Sequence, residues 1–503
     1  MDRVLGTEIE YGIAAPGDPG VSPILTSTRA VLAYARAHAP GSGRRARWDH
    51  EPESPLRDSR GFDLRRYRQV PVVDPDAVGA ANIILDNGAR FYVDHAHPEY
   101  SAPETLDPLA AVIADRAGDA IMHEAARLAS AEEDCPELRI YRNNVDGKGA
   151  SYGAHENYRF SRETDFDAVA AGLTPFFVTR QVFCGAGRVG IGVRGERPGF
   201  QIAQRADYIE TEVSLETTLN RGIINTRDEP HSDPELWRRL HVIIGDANMS
   251  ETATYLKLGA TALVLDAIEA GVDFTDLALR DPVAAVREVS RDLGCTAALQ
   301  HADHVTRRTA IQIQREYLDR VRDFDAAGEV TARWAEVLDL LERDPMETAG
   351  ILDWTAKLAL LRGLRERGGL GWEHPKLALI DLQYADIDPD RGLYHALVAR
   401  GRMRRLSTDA QVAEAVTTAP RDTRAYLRGG LLRRFPDDVV AASWDSAIVT
   451  VDGDPEGELV KLRLHDVTGL GAAAVADLLE GAPDMASLVS GLAARGLAGL
   501  RPR

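Results

Sequence analysis

Cysteine is scarce: there are three in 503 residues, Cys135, Cys184 and Cys295, widely separated and matching no metal or redox spacing. A disulfide framework is not expected, and the pattern fits a reducing compartment. A catalytic thiol would need an electropositive setting that the sequence around these three does not display. No stretch approaches the roughly 18 consecutive apolar residues that a bilayer-spanning helix needs. The opening MDRVLGTEIEYG lacks the apolar segment of a secretory signal. A cytoplasmic location and no membrane partner are expected. Positive charge is also in deficit, with 59 Lys and Arg against 78 Asp and Glu for a net charge of -19. Broad nucleic-acid binding rests on neutralising phosphates and is not expected, and an acidic partner would need a local basic groove. The phosphate-binding GxxxxGK[ST] motif is absent. Gly185–Gly190 satisfies GxGxxG, but the following IGVRGERPGF cannot open the helix that a dinucleotide fold requires. A bound nucleotide must be held in another way.

The chain has 44% hydrophobic and 27% charged residues, so it can bury a large core, and it is too long for one ordinary domain. Alternating segments rich in Val, Ile, Tyr and Phe at 3–11, 89–94, 176–183, 200–213 and 239–244 read as strands. Helical patterns cover 104–130, 250–270 and 331–342, with Ser250 as an N-cap. The mixture predicts an α+β fold without regular βαβ alternation. Residues 41–69 mix dense charge with Gly and Pro and show little apolar periodicity, so they read as a long mobile insertion expected to gate the site. From about 430 onward SWDSAIVTVDG and LVKLRLHD read as strands before an Ala/Leu-rich helical tail. The expected division is a catalytic domain over 1–430 and a small C-terminal domain over 431–503.

In Val4-Leu5-Gly6-Thr7-Glu8-Ile9-Glu10-Tyr11, strand alternation sends Leu5, Ile9 and Tyr11 to one face and Glu8 and Glu10 to the other. Two carboxylates about 7 Å apart at their origins suit one or two magnesium ions, and a solvated strand face is the plain alternative. Arg90, Tyr92 and Asp94 repeat this logic on a second strand, and the turn at His97-Pro98-Glu99 would swing Glu99 back to the same pocket. His155 and Asn157 share a face after a glycine-rich turn, and Arg239 and His241 share one on a later strand. Arg205 and Arg227 each emerge from strand-like stretches. Each residue alone reads as a surface or structural group. One shared pocket explains them all, with arginine suited to phosphate oxygens.

The stretches GTEIEYG, NGARFYVDHAHPEYSAPE, NNVDGKGASYGAHENY, NTRDEPH and RRLHVIIGDANMSET resemble the Pup-processing enzymes of actinobacteria, relatives of glutamine synthetase and the carboxylate-amine ligases. The likeness runs from residue 1 to the SWDS segment. That family has two branches, a ligase that attaches the small prokaryotic ubiquitin-like protein Pup to lysines and a deamidase/depupylase that acts on Pup's C-terminal residue. The insertion at 41–69 and an HAHPE turn one residue shorter than the ligase's resemble the second branch.

The resemblance implies a glutamine-synthetase-like curved antiparallel sheet forming an open cradle, helices behind it and a small C-terminal domain. By matching positions it implies magnesium at Glu8, Tyr92 and Glu99, with Glu10, His155 and His241 completing the metal and phosphate site. It implies Asp94 as the catalytic carboxylate, either general base or direct nucleophile. ATP would be held by Arg90, Asn157, Arg239 and Trp444, and Arg205 and Arg227 would meet the substrate carboxamide or the phosphates. The implied reaction is hydrolysis of a γ-carboxamide, in Pup's terminal glutamine or in the isopeptide to a target lysine, serving the Pup–proteasome pathway. ATP and Mg2+ would be required, ATP without consumption in each turnover, and the partners would be Pup and pupylated proteins. Competing readings are a Pup ligase on the same scaffold, a non-enzymatic Pup-binding regulator and a glutamate-cysteine-type ligase.

Overall fold

The computed structural model describes residues 3–38, 46–51, 53–61, 81–146, 148–451, 459–497 and 499–502. One large sheet organises them. In chain order its strands are β1 (Leu5–Glu10), β2 (Arg47–Trp48), β3 (Asn82–Ile84), β4 (Arg90–Asp94), β5 (His97–Ser101), β6 (Ala154–Ser161), β7 (Trp237–Val242), β8 (Val439–Ala442), β9 (Ser446–Thr450), β10 (Leu459–Arg463) and β11 (Gly499–Pro502). They lie side by side as β7-β6-β1-β5-β4-β3-β2-β8-β9-β10-β11. The α+β class and the helix-backed sheet hold. The expectation of a wholly antiparallel sheet needs one correction, because β2 and β8 run parallel. Distant stretches of chain meet at that junction, and a long connection permits either direction.

The sheet has one dry face. Leu5, Thr7 and Ile9 of β1 are buried, as are Phe91 and Val93 of β4. Behind this part of the sheet stand α1 (Pro23–Ala37), α2 (Pro108–Ser130), α3 (Phe166–Thr179) and α4 (Glu251–Glu269). α2 starts where Asp107 accepts from the amides of Leu109 and Ala110 with Pro108 in the first turn, a favourable N-terminus. Ser250 caps α4 as expected, accepting from Ala253 N. α4 is buried nearly all round and runs through the largest core cluster. The pattern at 331–342 lies within α5 (Glu329–Arg343).

Two strand expectations fail. Residues 176–183 are helical, at the end of α3 and in the following turn Gln181–Cys184. Phe176, Phe177, Val182 and Phe183 are all buried, and a short apolar run enclosed on every side does not distinguish strand from helix by periodicity. Segment 200–213 is broken into the end of strand Arg197–Gln201, a turn at Ala206–Tyr208 and strand Thr211–Ser214. Nor is Glu99 carried on a turn: it sits within β5, and the two-residue turn before it places His95 at φ 52. The GxGxxG segment feeds strand Arg188–Ile191, which agrees with rejecting a dinucleotide fold.

The insertion at 41–69 divides. Residues 41–45, 52 and 62–69 lie outside the described residues. The described remainder is pinned rather than loose: β2 joins the sheet, Ser59 N donates to Thr226 O at 2.7 Å, and Asp58 bridges Arg227. Downstream, α6 (Asp353–Gly368) and α7 (Pro375–Tyr384) flank the body. Strands β8–β11 then extend the sheet, and β8–β10 pack with α8 (Ala425–Arg434), α9 (Ala472–Gly481), α10 (Met485–Ala494) and Trp48 in a separate core cluster. Among the described residues no helix is long and apolar enough to cross a membrane.

Candidate active site

The wet face of the sheet is read from strand register. Glu10 of β1 lies opposite Glu99 of β5, which lies opposite Tyr92 of β4. Glu8 lies opposite His155 of β6 on one side and Ser101 on the other. His241 of β7 faces Asn157 of β6. Cross-strand neighbours at these positions stand about 5 Å apart, so side chains separated by hundreds of residues converge. They line a cavity of about 420 Å³. Glu8, Glu10, Arg90, Tyr92, Asp94, Glu99, His155, Arg205, Arg227, Arg239, His241 and Trp444 all border it. Of the sequence-predicted residues, Asn157 alone does not.

Two groups have ligand geometry. Donor atoms of Glu8, His155 and His241 lie within 4.8 Å of one another, as do those of Glu10, Asp94 and Glu99. Oxygen-rich, with an open cavity in front, the second group suits a hard divalent cation. His155 Nδ1 lies 3.2 Å from Glu8 Oε2, and Asn157 Nδ2 donates to Glu8 Oε1 at 2.9 Å. His241 Nδ1 is 3.0 Å from Asn157 Oδ1, while its buried Nε2 has no hydrogen-bond partner among the described residues. An Nδ1–H donated to Asn157 leaves the Nε2 lone pair free, the arrangement that presents imidazole to a metal. A Cβ on Gly153 would collide with His155 Nε2 and Glu10 Oε1. Only glycine lets the backbone approach that closely.

Electrostatics agree with the geometry. Burial, then the charges of Asp94, Glu10 and Glu8, push Glu99 well above the usual carboxylate range. Burial would also raise Glu8, but the His155 hydrogen bond and the nearby His241, His155 and Arg239 bring it well below. Burial, Arg239 and His155 hold His241 well below the usual imidazole range, so it is a neutral donor. Burial and Glu99 push the Tyr92 phenol well up, so Tyr92 stays protonated and contributes a weak neutral oxygen rather than an anionic ligand. Asp94 is the most open acid of the set, with its side chain 40% exposed and Oδ1 3.1 Å from His95 Nδ1. Burial would raise it, and the His95 hydrogen bond and charge outweigh that and lower it.

Arginines surround the carboxylates without neutralising most of them. Arg90 lies between rings, 4.0 Å from the Trp48 centroid and 3.9 Å from that of Tyr92, and its Nε donates to Asn82 at 3.1 Å. Arg239 donates to Glu229 O at 2.6 Å and to Asn157 Oδ1 at 2.5 Å. Arg205 is 1% exposed and its Nε and Nη1 have no hydrogen-bond partner among the described residues. Burial and Arg221 pull its guanidinium down to about 10. A smaller, mainly apolar recess bounded by Leu5, Tyr158, Arg424 and Val467 opens beside the cavity, and Glu8, Ser101, His231, Arg239 and Trp444 border both. Asn157 belongs to this recess.

Sequence reasoning missed several cavity residues. Glu53 lies inside the segment read as loose, yet it accepts from Trp48 Nε1 at 2.8 Å and faces Arg90 Nη1 at 3.5 Å. Nothing in WDHEPESP has a period that could reveal this. His97 is stacked on Tyr152 at 4.1 Å between centroids, a contact that its motif does not reveal. Arg221, Glu229 and His231 also border the cavity, and His231 and Glu229 stand in the NTRDEPH motif that gave Arg227.

Comparison with known proteins supplies the family. Residues 3–448 match the model described as Pup-ligase protein. A Pup deamidase/depupylase of Mycolicibacterium smegmatis is 62% identical over 462 residues, 90% of this chain and 93% of that protein. The crystal structure of the complex between Pup and its ligase PafA aligns with TM-score 0.78 at 32% identity, covering 98% of this chain and 94% of that one. PafA in complex with ADP aligns with TM-score 0.72 at 34% identity over 82% of this chain and 95% of that one. The chain belongs to the Pup-ligase protein family.

Proposed function

We propose that this protein is a Pup deamidase/depupylase: it hydrolyses the γ-carboxamide of Pup's C-terminal glutamine and cleaves the isopeptide that joins Pup to lysines. Its partners are Pup and pupylated proteins, it works in the cytoplasm, and it serves the Pup–proteasome pathway. The observation that carries this reading is the single cavity bordered by Glu8, Glu10, Asp94, Glu99, His155 and His241, in a chain 62% identical to a protein of that activity over nearly its full length. In this reading residues 1–430 form the catalytic body and 431–503 a small C-terminal domain that brings Trp444 to its edge.

The donor set fits magnesium and a nucleotide. Glu8, His155 and His241 would hold one ion, and Glu10, Asp94 and Glu99 could hold a second, with Tyr92 as a neutral neighbour. Arg90, Arg239 and Trp444 would hold ATP, with the apolar recess beside Asn157 suited to its base. Bound magnesium would supply positive charge for a developing oxyanion and an anchor for the substrate. ATP is required and not consumed in each turnover. Asp94 is anionic and open to the cavity, which suits it to accept a proton from water or to attack the carbonyl carbon itself. His95 beside it is raised to about 9 by the Asp94 hydrogen bond and charge, so at neutral pH it can give a proton to the departing ammonia or amine. Arg205 and Arg227 present guanidinium groups to the carboxamide oxygen or a phosphate.

A Pup ligase is the second reading, favoured by the two PafA structures that share the fold. Incubation with glutamine-ended Pup and ATP, ADP or no nucleotide decides between them. Ammonia release that needs a nucleotide is expected. Attachment of glutamate-ended Pup to proteins, without ammonia release, would establish the ligase instead.

A further inference from the structure

Two motifs have no part in the site so far: the glycine-rich Gly185–Gly190, and the Gly245-Asp246-Ala247-Asn248 stretch that follows β7. They meet at one carboxylate. Asp246 is 2% exposed. Its Oδ2 accepts from Ala186 N and from Gln204 N, each at 2.8 Å, and its Oδ1 accepts from Arg205 N at 3.2 Å. Glycine permits the meeting, because a Cβ on Gly185 would lie 2.5 Å from Ile202 O. Gly187 N donates to Ile202 O at 2.7 Å, and Gln204 Nε2 donates to Gly187 O at 3.1 Å. From the other side Lys257 Nζ of α4 donates to Asp246 O at 2.8 Å. The same β7 that carries His241 into the cavity thus continues into the group that holds the Arg205 backbone.

Among the described residues Asp246 forms no ion pair, and every hydrogen bond to its carboxylate comes from an N–H donor. Such a set favours the anion. Burial raises its pKa all the same, with the three amides and the charge of Arg205 pulling the other way. Arg205 has the matching deficit. It borders the cavity and forms no ion pair among the described residues, and the acids that support its charge are Glu10, which borders the cavity, and Asp246, which does not. A neutral oxygen could accept from backbone amides at a smaller desolvation cost. What a carboxylate adds at this place is negative charge behind a buried guanidinium.

We propose that Asp246 is a positioning residue for the amide hydrolysis, holding Arg205 by its backbone amide and by opposite charge so that the guanidinium meets the carboxamide or a phosphate in the cavity. The proposal rests on the amidohydrolase reading above.

The test compares Arg205→Met, Asp246→Asn and the double variant with the parent on glutamine-ended Pup. In Asp246→Asn the side-chain oxygen can stay on the amides of Ala186 and Gln204, which leaves an NH2 group facing the Arg205 amide. Loss of that charge-assisted contact should lower kcat/KM for ammonia release about 10- to 100-fold, through the same constant, kcat or KM, that Arg205→Met changes. Added to Arg205→Met it should cost less than about twofold, because the two residues act as one unit. Denaturant unfolding should show the same stability loss from Asp246→Asn in both backgrounds, so coupling confined to activity separates positioning from a structural role. Asp246→Ser, whose hydroxyl accepts from an amide without charge, is the second variant and should behave alike. Activity losses that multiply in the double variant overturn the proposal, as does full activity in either folded Asp246 variant. If neither Asp246 variant folds while Arg205→Met does, Asp246 is a structural anchor and the proposal falls as well. Absence of ammonia from the parent would instead sink the amidohydrolase reading, and the same coupling would then be read in ATP affinity.

Discussion

Strand β1 has an acid cluster on each face, and the two are treated oppositely. Behind it, Thr7 donates to Asp115 at 2.9 Å and Tyr11 to Asp119 at 2.6 Å. Arg142 spans both acids at 2.5 and 2.8 Å, and Arg116 adds a second cation 2.5 Å from Asp119. In front, Glu10 and Glu99 form no ion pair with Lys or Arg among the described residues, Glu8 meets Arg239 only at 3.8 Å, and Asp94 pairs with His95. Buried acids matched by arginine hold structure. Buried acids left short of positive charge are a place prepared for it, and the cost is carried by the pairing behind.

The largest expected effect breaks the front cluster at its most open acid. Asp94→Asn keeps the volume and removes the base or nucleophile, so deamidation should fall about 10²- to 10⁴-fold while Tm stays within about a degree of the parent. A variant as active as the parent would revive a binding-only role. The rear cluster should respond in the other currency. Arg142→Met leaves Asp115 and Asp119 buried and unmatched, and denaturant unfolding should show a loss of about 3–5 kcal/mol. A loss below about 1 kcal/mol would mean that the front-to-back distinction has no energetic basis.

How much of this contrast was legible in sequence depends on periodicity. Glu8 and Glu10 on one face and Leu5 and Ile9 on the other follow from the two-residue period of a strand, and the same rule aligned Arg90, Tyr92 and Asp94. The rear partners escaped notice because Asp115 and Asp119 lie on α2, and which turn of a helix lies under which strand residue is a tertiary fact. Glu53 and Trp48 escaped for the opposite reason, because their segment has no period at all. The strand expected at 176–183 failed because Phe176, Phe177, Val182 and Phe183 are enclosed all round, which erases the amphipathic signal. Residues such as His97, at the start of β5, and Tyr152, in the loop before β6, carried motif identity without any sign of their stacking.

A third acid sharpens the contrast through pH. Glu104 meets Arg424 at 2.6 Å and Arg428 at 2.5 Å, joining α8 to the body. Burial would raise it, but Arg428 and Arg424 lower it to about 2. Its folded value lies below its unfolded one, so its contribution is complete above about pH 4.5 and is lost as pH falls toward 2, about 3 kcal/mol in all. Glu99 has the reverse sign: raised in the fold, it favours the metal-free protein below its unfolded value and ceases to do so as pH rises through the folded one. Stability profiles of Glu104→Gln and Glu99→Gln in chelator should therefore diverge from the parent in opposite directions. Profiles that shift the same way would remove the distinction between matched and unmatched acids.

The smallest effect is expected at the boundary between the two treatments. Asn157 gives its amide N–H to Glu8 and takes hydrogen bonds from Arg239 and His241 on its oxygen, so it links Arg239 to both kinds of ligand. Asn157→Ala frees Glu8 and His241 to turn and lets Arg239 approach Glu8. Loss of such a supporting contact should weaken Mg2+ binding about 10- to 100-fold, measured by calorimetry without nucleotide. If Asn157 instead acts only on the nucleotide, Mg2+ affinity will stay unchanged and ATP affinity alone will fall. The two outcomes separate a residue that positions metal ligands from one that grips ATP, and the hydrogen bonds to Glu8 and His241 favour the first.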